Sequence, residues 1–305
     1  MRIAFAVSDS YFRTLTTIRS PRDEASLLRE GFAAMDIAFE LVDWRDPAVD
    51  WTRFDVVLPK GCWNYFEHVA DFQAWMDRLG RDGVRLINPR EVVRWNLAKP
   101  YLLELAAAGI PVAPLLYFTP GSQPDLDPVL AARGWAQVVL KPAISAGAWK
   151  TLRTSAPLGD EARALAAELL GGSGLIVQPF FEEIVREGEW SLLFFGGEFS
   201  HAVLKTPRAD DFRSQPTWGA AATPVDPPAA MLEQAEAVLR AAPGRLTYAR
   251  VDGFRRDGVL HLMELEVIEP YLFFDAAGDE APRRFCEAVA AAARDGASAV
   301  PDRAS

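Results

Sequence analysis

Glu264 and Glu266 stand two residues apart in the run Val259-Leu260-His261-Leu262-Met263-Glu264-Leu265-Glu266-Val267, which reads as a strand. Successive side chains in a strand point to opposite faces, so the two carboxylates share one face while Leu265 and Val267 take the other. Arg250 and Asp252 lie in the run just before, and Asp257-Gly258 between the two runs marks a hairpin turn. Neighbouring anions repel and need a positive charge; a magnesium ion held by one or two carboxylates and the phosphates of a nucleotide supplies it. Two turns fit the hairpin. A two-residue Asp257-Gly258 loop would set Asp252 opposite Met263 and mix the faces. A three-residue Arg256-Asp257-Gly258 loop pairs Arg255 with Val259, Asp252 with Leu262 and Arg250 with Glu264. Arg250, Asp252, Glu264 and Glu266 then form one polar face. A one-residue slip exchanges the faces, so the separation of polar from apolar favours the three-residue loop. The plain alternative is the solvated side of an amphipathic hairpin.

The chain that must position these groups has 305 residues, half of them apolar and 24% charged, as in an ordinary globular protein of two or three lobes. Its 42 acidic and 32 basic residues leave a net charge of −10, a field that repels nucleic acid and anionic lipid, so neither is expected as a partner. Two cysteines, Cys62 and Cys286, and three histidines make neither a disulfide framework nor a zinc pattern, which points to a reducing, cytoplasmic setting. The first apolar run, residues 3–7, is a strand too short for a secretory core, and nothing approaches a membrane span.

Residues 1–95 alternate strand and helix: strands at 3–7, 39–42, 56–58 and 84–87, helices at 23–35 and 69–79. This predicts an α/β N-terminal domain with a parallel sheet and helices on both faces. No GxGxxG follows its first strand. Residues 96–180 predict an α+β lobe opening with a helix at 97–107, with strands at 112–118, 137–141 and 175–178 and a helix at 161–170. Residues 181–295 predict a second, larger α+β lobe. It carries strands at 190–195 and 198–204 around Gly196-Gly197, a mobile loop at 206–226, a helix at 229–241, the acidic hairpin and a last helix near 282–293. Residues 296–305 read as a disordered tail. Lys141 ends an apolar strand just before Pro142-Ala143-Ile144-Ser145-Ala146-Gly147-Ala148, a placement an ordinary surface lysine does not need.

Taken in order, Asn96-Leu97-Ala98-Lys99, Val139-Leu140-Lys141-Pro142 with its small-residue loop, Ile176-Val177-Gln178-Pro179-Phe180, Gly188-Glu189-Trp190-Ser191 and Met263-Glu264-Leu265-Glu266 resemble the ATP-grasp superfamily of carboxylate–amine ligases. The likeness runs from about residue 88 to about residue 274. It is nearest to the glutathione-synthetase-like proteins and to the O-ureido-serine cyclo-ligases of cycloserine biosynthesis, which are similar also around Trp63-Asn64-Tyr65. The resemblance implies ATP and Mg2+ clamped between two α+β lobes. Lys99 and Lys141 would reach the phosphates, and the backbone of Ser145 to Ala148, opened by Gly147, would approach them closely. Gln178, Phe180 and Phe181 would line the adenine site, and Glu189 would take the ribose. Asp252, Glu264 and Glu266 would hold the metal, with Arg213, Arg250 and Lys205 as catalytic cations. Trp63, Asn64 and Tyr65 would touch the substrate. Relatives often carry asparagine where Glu266 stands, arginine where Lys60 stands, aspartate just before the tyrosine matching Tyr65, and Gly-Gly near Trp218-Gly219-Ala220.

The implied reaction activates a small-molecule carboxylate as an acylphosphate, which an amine-type nucleophile then attacks to form an amide or close a ring. Phosphoryl transfer needs positioning and neutralised charge more than covalent help. A kinase-like phosphotransferase and a nucleotide-binding regulator are the alternatives on the same fold. Self-association into a homo-oligomer is common among the relatives.

Overall fold

The computed structural model describes residues 1–18 and 23–297. The N-terminal strands β1 (Arg2–Val7), β2 (Ala38–Asp43), β3 (Val56–Gly61) and β4 (Arg85–Leu86) pair in parallel in the order β2-β1-β3-β4. The two central strands are buried almost end to end, as near-continuous apolar runs in a parallel sheet must be. Helix Glu24–Ala33 starts where the Asp23 carboxylate accepts the Ser26 N–H at 2.9 Å, an N-cap. An additional helix, Tyr11–Ile18, escapes the sequence reading because its three threonines and closing isoleucine are weak helix formers.

The second sheet holds β5 (Leu116–Phe118), β6 (Gln137–Pro142), β7 (Leu152–Ser155) and β8 (Leu175–Pro179), antiparallel in the order β5-β8-β6-β7. It encloses its own core, built from Leu126, Leu130, Val138, Leu140, Leu169 and Val177. The helix expected at 97–107 begins only at Tyr101 (Tyr101–Ala107), and a separate helix, Arg90–Asn96, precedes it. Pro100 has no N–H and disfavours the helical conformation in the residue before it, so the chain breaks and Lys99 lies at the break. There its backbone N–H donates to the Ala143 carbonyl at 2.8 Å, tying the break to the small-residue loop.

The third sheet runs β11-β10-β9-β12-β13, antiparallel throughout, with β9 (Glu189–Phe195), β10 (Glu198–Thr206), β11 (Ala221–Pro224), β12 (Tyr248–Arg256) and β13 (Val259–Glu266). The segment read as one loop from 206 to 226 thus contains an edge strand; Ala221-Ala222-Thr223-Pro224 carries little strand signal, and proline suits an edge. The acidic hairpin corrects the expected register. Its turn is the two-residue Asp257-Gly258 loop, both residues left-handed (φ 52° and 81°), with Arg256 opposite Val259. The faces nevertheless stay segregated, because the pairing jumps from Gly253↔Leu262 to Asp252↔Glu264, leaving Met263 as the extra residue of a β-bulge. Gly253 permits it: a Cβ there would stand 2.4 Å from the His261 carbonyl oxygen.

The N-terminal sheet and the third sheet share a continuous core in which Val57, Trp75, Leu102, Val251 and Leu265 meet. The last helix, Glu280–Ala297, adds Phe285 and Val289 to a second shared core with Ile3 and Phe5. The helix runs two residues into the predicted tail, and positions 298–305 lie outside the described residues.

Candidate active site

A cleft between the second and third sheets gathers groups distant in sequence. Lys99, Lys141, Ser145, Gly147, Gln178, Phe180, Phe181, Glu189, Arg213, Asp252, Glu264 and Glu266 all line it. The pleat places them: Lys141 ends β6, Gln178 lies on the neighbouring β8, and Glu189 opens β9. Asp252 stands opposite Ser191 on β9 and Glu264 on β13.

Charge in the cleft is organised in pairs. Lys99 Nζ lies 2.9 Å from Glu264 Oε1 and donates to the Ser145 carbonyl at 2.9 Å. Arg250 grips both oxygens of Asp252 at 2.8–3.0 Å and also pairs with Glu266. Lys205 Nζ sits 3.0 Å from Glu189 and 3.4 Å from Asp252, and Ser191 donates to Asp252 at 2.5 Å. Lys205 and Arg250, expected as catalytic cations, are buried beneath the floor of the cleft and do not line it. Burial would raise Asp252, but Arg250 and then Lys205 hold its carboxyl at about 2. Desolvation by contrast pushes Glu266 up to about 7, Arg250 offsetting only part of it. Burial, and then the charge of Lys99, lower Lys141 to about 8.

Among the described residues no three His, Cys, Asp or Glu side chains surround a common point. Each predicted metal ligand pairs with a cation instead. The donor set still suits magnesium, which takes one or two hard carboxylates and completes its shell with phosphate and water oxygens. Glu264 and Glu266 keep 31% and 25% of their side chains exposed and can turn to a metal. Asp252, at 2%, has its oxygens taken up by Arg250, Lys205 and Ser191. Two amide atoms in the walls, Gln178 Nε2 and Gln215 Oε1, are buried without a protein partner among the described residues, and a polar ligand would satisfy them.

The lips of the cleft are two loops. Gly147, Ala148 and Lys150 are all left-handed, with φ of 59°, 59° and 50°, so the small-residue loop bends sharply where non-glycine residues resist it. From the loop between β10 and β11, the Trp218 indole donates to the Gly147 carbonyl at 3.0 Å. Arg213 stacks on Trp218, its guanidinium carbon 3.4 Å from the ring centre, and binds Asp211 through two nitrogens. Phe180 carries the Arg153 guanidinium at 3.5 Å, whereas Phe181 stacks on Phe254 at 4.5 Å in a small satellite core.

None of the predicted substrate residues lines this cleft. The Trp63 indole donates to the Glu269 carbonyl at 3.1 Å, and Asn64 accepts from the Trp44 indole at 2.8 Å. Tyr65 packs against Phe72 at 5.2 Å. Aromatic rings next to a core helix are drawn into packing, which the motif alone did not show.

Similarity to known proteins follows the same outline. The crystal structure of D-cycloserine synthetase DcsG superposes with a TM-score of 0.84 at 32% identity, covering 96% of this chain and 100% of that one. The chain belongs to the D-cycloserine synthetase family of ATP-grasp ligases. The family described as D-cycloserine synthetase DcsG, N-terminal domain, matches residues 3–88. The cycloserine biosynthesis protein DcsG of Streptomyces lavendulae is 39% identical over 182 residues, 58% of this chain. That alignment spans 60% of the curated relative's length. D-alanine–D-alanine ligase from Bacillus anthracis, solved with ATP, shares the fold at 13% identity, with a TM-score of 0.66 over 98% of this chain and 99% of its own.

Lys60, where the resemblance implied arginine, lies outside the cleft. Lys60 is fully buried, 2.5 Å from Glu24, and donates to the Pro270 carbonyl at 2.6 Å. Sequence reasoning missed Glu24 and Glu269. Glu24 looks like an ordinary first-turn acid. Glu269 follows the metal motif by three residues, and only its buried placement sets it apart.

Proposed function

We propose that the protein is an ATP- and Mg2+-dependent ligase that activates a small carboxylate as an acylphosphate and closes a ring by attack of an amine-type nitrogen. O-ureido-D-serine is the proposed substrate: the nitrogen bound to its side-chain oxygen displaces phosphate from the acylphosphate to close the ring, and hydrolysis of the carbamoyl group to carbon dioxide and ammonia leaves D-cycloserine as the proposed product. The supporting observation is the convergence of Lys99 and Lys141 with Glu189, Asp252, Glu264 and Glu266 in one cleft between two sheets. Family membership sets the frame.

In this reading Lys141, from the strand side, and Lys99, from the helix break, bind the phosphates, Lys99 exchanging Glu264 for phosphate oxygen. Glu264 and Glu266 would hold the metal, which neutralises the β- and γ-phosphates when bound; Asp252 would join only as a shared ligand. Gln178 and Gln215 would meet the base and sugar with their unpartnered amide atoms, and Phe180 would pack the ring. Arg213 would exchange Asp211 for the γ-phosphate. Lys205 and Arg250 act as fixed positive charge beneath the carboxylates, and the Trp218–Gly147 contact helps exclude water that would hydrolyse an acylphosphate. Among the described residues no helix is long and apolar enough to cross a membrane, and the proposed setting is the cytoplasm.

The test is ADP release from ATP and Mg2+ across amino acids including O-ureido-D-serine, with the organic product identified by mass. Stoichiometric ADP and D-cycloserine are expected. ADP with a stable phosphorylated substrate would instead mark a phosphotransferase, and tight ATP binding without ADP a regulator.

A further inference from the structure

Trp63, Asn64 and Tyr65 are anchored in the N-terminal domain, but the residue after them reaches out of it. The single helical turn Tyr65–Glu67 is pinned at its start, where the Cys62 and Asn64 carbonyls accept from the Tyr65 and Glu67 N–H groups at 3.0 and 3.1 Å. From that turn the half-buried Phe66 packs its ring against Trp149, with centroids 5.2 Å apart and planes at 50°. Aromatic rings in this range attract one another beyond the area they bury. Trp149 stands at the exit of the small-residue loop, which lines the cleft through Ser145, Gly147 and Ala148. The contact therefore joins a part of the chain outside the cleft to a loop that forms its lip.

That loop needs an outside hold. Gly147 takes a left-handed φ freely, but Ala148 and Lys150, on either side of Trp149 in sequence, have φ of 59° and 50°. Residues other than glycine persist there when the surrounding structure over-determines them. The loop's own bonds are two tight turns, from the Trp149 N–H to Ala146 at 3.0 Å and from the Thr151 N–H to Ala148 at 3.2 Å. Lys150 sets its ammonium 4.3 Å from the centre of the Trp149 ring. Two other parts of the chain complete the hold. Trp218 donates to the Gly147 carbonyl at the bend, and Phe66 seats Trp149 at the exit.

We propose that Phe66 and Trp149 are positioning residues for phosphoryl transfer, their ring contact holding the bent backbone of Ser145 to Ala148 in the shape that receives the terminal phosphates. The proposal rests on the reading of the cleft as an ATP site. It gives Trp63, Asn64 and Tyr65 a task without substrate contact, since they fix the base from which Phe66 reaches. Loss of either ring frees the loop's exit and lets its left-handed residues relax. The β- and γ-phosphates then lose their backbone partners, while the base and sugar keep theirs.

Calorimetry in Mg2+ with AMPPNP, which carries the full phosphate chain, and with AMP, which lacks the β- and γ-phosphates, tests this. Phe66→Ala and Trp149→Ala should each weaken AMPPNP by about three- to ten-fold, the fold-change of one aromatic pair, with AMP bound as in wild type. The double variant should be no weaker than either single one, because all three remove the same contact. Amide hydrogen exchange across residues 145–151 should quicken in all three, and Phe66→Tyr, which keeps the ring, should restore both readouts. Single variants that bind AMPPNP like wild type overturn the proposal, as do losses that multiply in the double variant or fall equally on AMP. If Phe66→Ala does not fold, Trp149→Ala, which leaves the N-terminal core intact, decides by the same two readouts. A wild type that fails to bind AMPPNP removes the ATP reading and the proposal with it; unchanged variants beside a wild type that binds remove the proposal alone.

Discussion

Lys141 is the residue whose protonation reports most directly on the cleft. Its pKa is lowered to about 8 by burial and by Lys99, so above pH 8 the nucleotide-free protein carries it mostly neutral. Phosphate favours the charged form, hence ATP binding between pH 8 and 9 should take up a proton and weaken as pH rises. Calorimetry in two buffers of different ionisation enthalpy measures that uptake. Lys141→Ala should abolish it and weaken ATP by about ten- to a hundred-fold, as expected for a charged hydrogen bond of about 1.5–3 kcal/mol. Glu264→Gln should remove magnesium-dependent turnover while the thermal midpoint stays near wild type, because its partner Lys99 keeps the Ser145 carbonyl. Circular dichroism alongside ADP release checks both halves. At this scale the sequence was legible where a residue stood in a motif. It was silent where the role comes from long-range burial, as for Lys60, whose partner Glu24 is 36 positions away.

Elements were legible wherever periodicity ran undisturbed, as in the helix Ala229–Ala241, which falls at the expected residues. They were not where one residue overrode the pattern. Pro100 cut a helix that its apolar spacing would have continued, and that cut delivers Lys99 to the small-residue loop. In the acidic hairpin the polar–apolar segregation was read correctly and the turn was not. A bulge at Met263 achieves what a longer loop was expected to achieve, and a bulge leaves no mark in a two-residue periodicity. This gives a test at the element scale. Gly253→Ala places a Cβ against the His261 carbonyl and should cost about 1–3 kcal/mol by overcrowding. The strands must shift to relieve it, moving Asp252 relative to Glu264. Urea unfolding should show the loss in stability, and the magnesium concentration for half-maximal activity should rise in the same variant.

For the whole molecule, the N-terminal domain and the large sheet act as one packed body. The Lys60–Glu24 pair joins their polar parts as the shared cores join their apolar ones: Lys60 from β3 and Glu24 from the helix Glu24–Ala33, both in the N-terminal domain, reach the segment 270–272. Both side chains are essentially unexposed, so the pair matters less as attraction than as mutual neutralisation. Removing one partner strands a buried charge, at about 3–5 kcal/mol, whereas replacing both by apolar residues of similar size is often nearly neutral. Lys60→Met alone should therefore lower stability strongly, and Lys60→Met with Glu24→Leu should recover much of it. Recovery of stability need not restore catalysis, since neither apolar residue can serve the Pro270 carbonyl or the Leu272 N–H. The double variant is thus expected to fold yet turn over poorly, with ATP affinity retained because the nucleotide cleft lies between the other two sheets. Unfolding midpoints, ATP calorimetry and turnover on the same three proteins check each step. A double variant as active as wild type would show that the N-terminal domain contributes packing alone, and that the segment after the acidic hairpin needs no polar hold to do its work.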